Sequence, residues 1–312
     1  MTIGVIGLGS IGERHVRNLQ KKYPRAQIEI LTKRTKWSDR ATNTSLINSE
    51  AAFFKTRHDV YFVTNETGKH TNTIIRALQQ KPRGIFIEKP LTASSRDISK
   101  IEKAAKNTDV FFVGYCLQFY KPIITIKRIL ARKTIGDVLS MRVSVGSHLA
   151  TWRKGDYRKR YSADTRRGGG VVLDLIHELN YPSWLLNAPL RFVAGISDRV
   201  SLPIRAEDVS ESIFRAKKAI VSIHQDYLRI PARRSCEILG TKGTILWDGD
   251  VVTVQTASRT HRITVKEDRN EMYLRELAYF LQKVQSGTKH SNFDEAARDL
   301  VNADKIKHAI AQ

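Results

Sequence analysis

Acidic residues, cysteines and long apolar runs are all scarce in this 312-residue sequence. The two cysteines, Cys116 and Cys236, cannot build a disulfide framework, which favours a reducing, cytoplasmic location. No apolar stretch reaches the roughly 20 residues that a membrane helix needs, so no membrane association is expected. The chain opens on a strand-like segment, Thr2–Ile6, without the pattern of a secretory signal. These absences lead us to expect a soluble cytoplasmic protein.

The shortage of acidic residues leaves a formal net charge of +22, with 53 basic and 31 acidic side chains. Such a charge favours an anionic partner, and nucleic acid is one candidate. The basic residues are spread over the whole chain, however, and no helix-turn-helix, zinc-finger or RNA-binding motif is found. An anionic small substrate or a compositional bias accounts for the charge, so neither nucleic acid nor a metal is an expected partner.

The first part of the sequence alternates short apolar runs with helical patterns, which is typical of a parallel sheet covered on both faces. The predicted helices cover residues 11–22, 71–80 and 95–106. The predicted strands cover residues 3–6, 28–31, 60–64, 84–87 and 110–114. This order predicts a Rossmann-type, doubly wound nucleotide-binding domain over residues 1–119.

Residues 120–312 are predicted to form a substrate-binding and oligomerisation α/β domain with a large, mostly antiparallel open sheet. A helix over 122–131 and a strand over 138–145 precede a basic segment, and a glycine triplet then opens an apolar helix that is expected to continue to residue 186. Closely spaced strands with short turns are typical of a meander. These strands are predicted at residues 192–197, 209–216, 220–227, 235–239, 244–247, 251–255 and 263–265. Helices over 271–286 and 294–311 complete the prediction.

The glycines of GVIGLGSIG form a G-x-G-x-x-G motif between a strand and a helix, the context that dinucleotide binding requires. Gly7 permits a tight turn, Gly9 lets the backbone approach a pyrophosphate, and Gly12 allows close packing of the helix. Ser10 and Ile11 begin that helix, whose N–H groups would face the anion. The second strand ends without a carboxylate for the ribose of NAD, whereas Lys33 and Arg34 suit a 2′-phosphate, so NADP is favoured over NAD.

Three residues are the candidates for catalysis. Lys89, in Glu88-Lys89-Pro90, stands at the carboxyl end of a buried strand, where open α/β sheets bind ligands. Asp174 and His177 lie three residues apart, which places them on one face of a continuous helix. Histidine can accept a hydroxyl proton and a carboxylate can orient it. The alternative is a helix terminus with a histidine satisfied in an interface, in which case Glu178 would be an exposed neighbour.

Together these elements resemble the Gfo/Idh/MocA oxidoreductase family over essentially the whole chain. The similar segments occur in the family's order, and those around the glycine triplet look most like a branch associated with bacterial surface-sugar biosynthesis. The segments are GVIGLGSIGERHVRNL, FVTNETGKHTNTIIRAL, IEKPL, VGYCLQFYKP, ATWRKGDYRKRYSA, GGGVVLDLIHELNY and EILGTKGTILWD.

The resemblance implies a Rossmann domain joined to an α/β domain that commonly forms homodimers or homotetramers through its sheet. It implies that Lys89, Asp174 and His177 occupy the catalytic positions. Further positions match those that border the cofactor, namely Thr64, Asn65, His70, Glu88, Lys89, Trp152 and Arg153. The departures from the family pattern are Cys116, Gln118 and Asn180, which affect the expected substrate more than hydride transfer.

A cluster of arginines and lysines between residues 153 and 167 suits a substrate with phosphate or carboxylate groups. The candidate substrate contacts are Gln118, Tyr157, Arg158 and Arg167. The sequence therefore predicts an NAD(P)-dependent oxidoreductase that transfers a hydride between a hydroxyl carbon of a phosphorylated, nucleotide-linked or acidic sugar and nicotinamide. A non-catalytic dinucleotide or sugar sensor and an NAD-dependent glycoside hydrolase are the alternatives.

Overall fold

The computed structural model describes residues 1–309, which form two compact units. The first unit contains residues 1–114 and 273–297, and the second contains residues 115–272 and 298–309. The division into functional domains at residues 119 and 120 stays a prediction. Among residues 1–309, no helix has the length and apolar character needed to cross a membrane.

The strands fall into two sheets, one in each unit. In chain order they are β1 (Thr2–Ile6), β2 (Gln27–Leu31), β3 (Thr44–Ile47), β4 (Val60–Val63), β5 (Gly84–Glu88), β6 (Val110–Gly114), β7 (Val138–Gly146), β8 (Arg191–Asp198), β9 (Val209–Ala216), β10 (Ala219–Asp226), β11 (Arg233–Gly240), β12 (Gly243–Asp248), β13 (Val251–Thr256), β14 (Thr260–Thr264) and β15 (His290–Ser291).

The helices of the first unit follow the parallel strands, and those of the second unit include two that come directly after the glycine triplet. They are α1 (Ser10–Lys22), α2 (Glu50–Phe53), α3 (His70–Gln79), α4 (Ile98–Ala105), α5 (Lys121–Ala131), α6 (Val171–Asp174), α7 (His177–Leu186), α8 (Arg269–Ser286) and α9 (Phe293–His308). The predicted end of the last helix, residues 310 and 311, lies outside the described part of the chain.

The first unit is a seven-stranded, fully parallel sheet in the order β15-β6-β5-β4-β1-β2-β3. Strands β4, β5 and β6 are buried along their whole length, as expected for a parallel sheet covered on both faces. Phe62, Phe86 and Phe112 stack beside one another on it, and Phe280 of α8 packs against all three. This aromatic layer fixes β5, whose carboxyl end carries Glu88 and Lys89.

The second unit contains an eight-stranded sheet in the order β14-β13-β12-β11-β7-β10-β9-β8. All pairs are antiparallel except β7 with β10, so β7 interrupts the predicted meander between β10 and β11. Buried and exposed residues alternate along β9 and β10, and α6 and α7 pack against this part of the sheet. The predicted fold, a Rossmann sheet followed by a mostly antiparallel open sheet, is confirmed.

Candidate active site

The turn between β1 and α1 can accept no side chain at two of its glycines. Gly7 has φ +106°, and a Cβ there would lie 2.7 Å from the backbone of Asn65. A Cβ on Gly12 would lie 2.3 Å from the carbonyl oxygen of Gly7. The Thr64 hydroxyl donates to that same carbonyl at 2.8 Å. These contacts hold the turn close to the end of β4.

Gly9 is different, because a Cβ at this position would meet no protein atom within 4 Å. Gly9 is the N-cap of α1 and supplies no side-chain cap, so it leaves the first N–H groups of the helix available. Open space above an uncapped helix N-terminus is what a pyrophosphate needs. The loop therefore fits a dinucleotide: Gly9, Ser10, Ile11 and Gly12 would hold its phosphates.

The end of β2 has a carboxylate that the sequence pattern did not reveal. Glu13, in the first turn of α1, bonds Arg34 at 2.5 Å and Arg17 at 2.7 Å. Arg17 also contacts Asp39 at 2.6 Å. No carboxylate follows β2 in the chain, as the sequence shows, and the carboxylate that contacts Arg34 comes from α1, 21 positions earlier. Arg34 is already partly neutralised.

A buried histidine joins the two loops that border the predicted nicotinamide region. The ring of His70 contacts the carbonyls of Pro90 and Leu91 through Nδ1, at 3.0 and 3.3 Å, and the carbonyl of Asn65 through Nε2, at 3.2 Å. Burial lowers the pKa of this imidazole. His70 therefore supports the turn after Lys89 from within the protein, while Lys89 itself is only half-buried.

In the second unit, the Asp174 carboxylate is buried and held by phenols. Tyr227, which directly follows β10, donates to Asp174 at 2.7 Å. Tyr161 interacts with the same carboxylate from the loop before the glycine triplet. Burial and the carboxylate raise the pKa of both phenols, so both remain hydrogen-bond donors. This arrangement fixes the direction of the carboxylate before any ligand binds.

Asp174 and His177 do not share a continuous helix, which corrects the sequence prediction. Asp174 ends α6, and His177 begins α7 after a two-residue break. The buried side chain of Gln225 donates to the Leu175 carbonyl at 2.8 Å, and the Glu178 N–H bonds the same carbonyl at 3.1 Å. The Leu175 carbonyl thus accepts from a three-residue turn and from a sheet side chain at the point where the helix is interrupted.

His177 is almost buried and faces a cysteine. Its Nε2 lies 3.7 Å from Cys116 Sγ, and Tyr115 meets its ring edge-on at 6.0 Å. The other two departures from the family pattern also pair: Gln118 donates to Asn180 at 2.9 Å, and Asn180 donates to Asp299 at 2.8 Å. These substitutions therefore form one connected set of contacts around α7.

Glu178 is fully buried, and the expectation that it is an exposed neighbour of His177 is wrong. Arg234 of β11 bonds it at 2.7 Å. The guanidinium is held charged by this carboxylate, which keeps its pKa raised against the cost of burial. The pair fastens the first turn of α7 to the centre of the sheet.

The loop before the glycine triplet lies over Tyr227. The Trp152 ring meets the Tyr227 ring edge-on at 5.2 Å, and its Nε1 donates to Ser147. The Arg153 guanidinium lies 5.8 Å from the centre of the Tyr161 ring. Trp152 and Arg153 therefore contact the two phenols that hold Asp174.

Several cations of this loop are engaged locally. Arg158 forms a two-pronged contact with Asp156 at 2.8 and 3.0 Å, and Arg166 contacts Asp164 at 3.3 Å. Arg167 bonds the Lys159 carbonyl at 3.1 Å. Tyr157 lines a small recess together with Leu149, Trp152, Arg153, Arg160 and Ser162.

Two family profiles match this chain. Residues 1–115 match the oxidoreductase family with an NAD-binding Rossmann fold, and residues 123–246 match the GFO/IDH/MocA C-terminal domain. The chain belongs to the Gfo/Idh/MocA family of oxidoreductases. The predicted resemblance and the enzyme class are thereby confirmed.

Named relatives of this family member include a myo-inositol 2-dehydrogenase from Thermotoga maritima, 26% identical over 92% of this chain and 89% of the relative. A 2,7-anhydro-N-acetylneuraminate hydratase from Escherichia coli is 24% identical over 59% of this chain and 49% of its own length. A levoglucosan dehydrogenase solved with NADH and levoglucosan shares the fold, with TM-score 0.84 and 16% identity over 98% of this chain and 96% of that one.

Within this family member, the first unit carries the predicted cofactor residues of the glycine turn, the β2 end, and the turns after β4 and β5. The second unit carries Asp174 and His177, and also Gln118, Trp152, Arg153, Tyr157, Arg158 and Arg167. Sequence reasoning missed Tyr161, Tyr227 and Gln225, which reach Asp174 or the helix break. No local sequence pattern identifies these three residues, because they approach Asp174 or the helix break only in the folded structure.

Replacing Gly9 by Ala should weaken dinucleotide binding without harming the fold, since the added methyl group points into open space. We expect the Kd for NADH to rise about tenfold, a loss of ~1.4 kcal/mol, with thermal stability nearly unchanged. Fluorescence titration and a melting curve measure the two effects. The matched control is Gly12→Ala, whose methyl group should destabilise the fold itself by about 1–3 kcal/mol. Unchanged NADH affinity in Gly9→Ala would contradict the assignment.

Proposed function

We propose that this enzyme transfers a hydride between a hydroxyl-bearing carbon of a sugar or polyol and a nicotinamide cofactor. The observation that carries the proposal is the Asp174 carboxylate, buried and aligned by Tyr227 one turn before His177, in a chain of this oxidoreductase family. The myo-inositol dehydrogenase and levoglucosan dehydrogenase similar to this chain act on polyhydroxylated compounds by name, which supports the same substrate class here.

The chain's own residues manage position and protons. His177 would accept the hydroxyl proton, and Lys89 would polarise the oxygen that carries it. Asp174, held by Tyr227, would orient the substrate or His177. Thr64, Asn65, His70, Glu88 and Lys89 would border the nicotinamide, together with Trp152 and Arg153. The bound dinucleotide supplies the hydride chemistry.

The substrate is proposed to carry phosphate or carboxylate groups, as in a phosphorylated, nucleotide-linked or acidic sugar. Arg153 and Lys154 are exposed and stand beside the recess that contains Tyr157. Arg158 is already bonded to Asp156, which reduces its share in this role. Gln118 and Arg167 are the other proposed contacts. A lower KM for charged than for neutral sugars would support this part of the proposal.

The E. coli hydratase among the relatives makes a redox-neutral reaction the second candidate. Such an enzyme uses its cofactor transiently and releases no reduced nicotinamide. It would convert substrate with no net absorbance change at the reduced-nicotinamide band. A dehydrogenase converts cofactor and substrate in equal amounts, so measuring both species in one reaction separates the two candidates.

The catalytic assignment is tested by turnover with NAD and NADP, crossed with myo-inositol, levoglucosan and phosphorylated and nucleotide-linked sugars. Lys89→Met and His177→Gln should each lower kcat about 100-fold or more, the scale of a lost acid–base group, with NADH affinity within about twofold. The kcat of Tyr227→Phe should lie between those of these variants and that of the wild type, because Asp174 loses a hydrogen-bond donor that aligns it. Lys103→Met, at an exposed lysine of α4, serves as the control. Full activity in Lys89→Met would refute the assignment.

The cofactor is proposed to be NADP in preference to NAD, with Lys33 and Arg34 contacting the 2′-phosphate. Both side chains are exposed at the end of β2, and Glu13 competes for Arg34. Arg34→Ala should weaken NADP binding about tenfold, as expected for a lost hydrogen bond to a charged group, and leave NAD binding unchanged. Glu13→Gln should improve NADP binding by releasing Arg34. Equal effects on both cofactors would argue against the proposal.

We propose that the chain works in the cytoplasm as a homodimer or homotetramer assembled through the open face of the eight-stranded sheet. Ile213, Ile220, Leu239 and Leu246 are 38–48% exposed on strands β9 to β12. Beside them on the same face, Arg142 stands opposite Glu237. An uncovered apolar face with paired charges suits an isologous contact with a second copy.

Ile220→Glu should dissociate this assembly, because it places a charge in the centre of the contact. Sedimentation velocity should then show a monomer, whereas the wild type sediments as a dimer or larger species. The control is Val200→Glu, at a more exposed apolar residue (66%) that lies outside the strands. A monomeric wild type, or an Ile220→Glu variant that stays assembled, would contradict the proposed interface.

A further inference from the structure

Glu276 of α8 is a carboxyl group with no evident partner. Its relative exposure is 0%. Among residues 1–309, neither of its oxygens has a hydrogen-bond partner. It stands between Tyr273 and Phe280 on the helix face that packs on the parallel sheet of the first unit. Buried polar groups in proteins nearly always have partners, so this one calls for an explanation.

The groups that face Glu276 come from three elements. On the sheet, Gly114 of β6 gives it room, since a Cβ there would lie 3.4 Å from Glu276 Oε1. Gly114 pairs with Glu88 across β5 and β6, and the two carboxyl groups interact. From α1, His15 bonds Glu88 at 2.5 Å.

Aromatic rings around the Glu276 carboxyl group shield it from solvent. The His15 ring meets Phe86 at 4.9 Å and Tyr273 at 6.2 Å. The Arg14 guanidinium of α1 lies over the Tyr273 ring at 4.4 Å. α8 itself adds the titratable groups Tyr273 and Tyr279, whose rings meet those of His15 and Phe112. Among these residues, Glu88 is hydrogen-bonded to His15, and Glu276 has no hydrogen-bond partner.

Glu276 therefore faces two costs if it ionises. A buried carboxylate without donors loses its hydration, and a second negative charge beside Glu88 is repelled. Burial, and then the Glu88 charge, raise the pKa of Glu276 well above its ordinary value. A carboxylic acid in such a setting stays protonated at neutral pH. A neutral Glu276 then leaves the bond between Glu88 and His15 undisturbed.

We propose that Glu276 is a positioning residue, a neutral carboxylic acid whose proton allows the Glu88–His15 pair to form directly before Lys89. Ionised Glu276 would repel Glu88 and disturb the end of β5. This role deepens the proposed function, since it rests on the use of Lys89 beside the nicotinamide. Its main consequence, a proton held in the fold, does not depend on turnover.

The pH dependence follows from the direction of the pKa shift. Because the folded-state pKa of Glu276 is raised, its contribution to stability is complete below the unfolded-state pKa, about 4.3. That contribution is lost as the pH rises toward the folded-state value. Over this range, the group should increase the unfolding equilibrium constant about tenfold per pH unit.

The experiment compares urea unfolding of the wild type and Glu276→Gln at half-unit steps between about pH 5 and 7. Glutamine keeps the shape and neutrality of the protonated side chain. The unfolding equilibrium constant of the wild type should therefore rise with pH about tenfold more per pH unit than that of the variant. Glu271→Gln, an exposed position on the same helix, should keep the wild-type slope. Equal slopes in wild type and Glu276→Gln would overturn the proposal.

The positioning role has its own readout in the affinity for NADH. We expect the wild-type Kd to rise with pH as Glu276 begins to ionise, and the Kd of Glu276→Gln to stay level. A parallel rise in both proteins would overturn the positioning role. Glu276→Met, also neutral and of similar length, is the second variant; failure of both neutral variants to fold would contradict the proposal as well. Absence of sugar turnover would count against the proposed function alone, because neither measurement uses it.

Discussion

The bond from the Gln225 side chain to the Leu175 carbonyl decides the arrangement of the second unit's chemistry. The Leu175 carbonyl accepts from Gln225 and, in a three-residue turn, from the Glu178 N–H, at the break where α6 ends at Asp174 and α7 begins at His177. Gln225 is fully buried near the end of β10, and Tyr227 follows two residues later with its bond to Asp174. One strand end therefore sets both the break in the helix and the direction of the carboxylate, and rigid sheet elements hold such groups more accurately than loops.

The sequence predicted the order of the main strands and the glycine turn because each depends on neighbours in the chain. Short, weakly patterned segments such as β3 and α2 were missed, since four residues carry too little periodicity. The continuous helix through Asp174 and His177 and the exposed Glu178 were wrong for one reason. Gln225 and Arg234 reach α6 and α7 from strands about 50 residues later, and local spacing does not contain that information.

The surplus of basic residues does not mean that every cation is available to a ligand. Glu13 is shared by Arg17 and Arg34, and Asp156 is engaged by Arg158. These exposed pairs contribute little stability, because water screens the attraction between their charges. Their effect is to lower the local positive charge at the positions where phosphate groups are proposed to bind. The net charge of the chain therefore does not measure how many arginines are available to the proposed anionic ligands.

The buried carboxyl groups differ in which neighbouring groups offset the free-energy cost of burying them. Glu178 has the guanidinium of Arg234, and Asp174 has a phenol donor from Tyr227. Glu207 packs against Gly170, and burial raises its pKa. Glu276 has no partner of either kind among the described residues. A carboxylate that is paired can serve as a fixed charge, whereas one that is not must keep its proton. The fold therefore determines the protonation state of each buried acid, because the fold places hydrogen-bond donors beside some of these groups and not beside others.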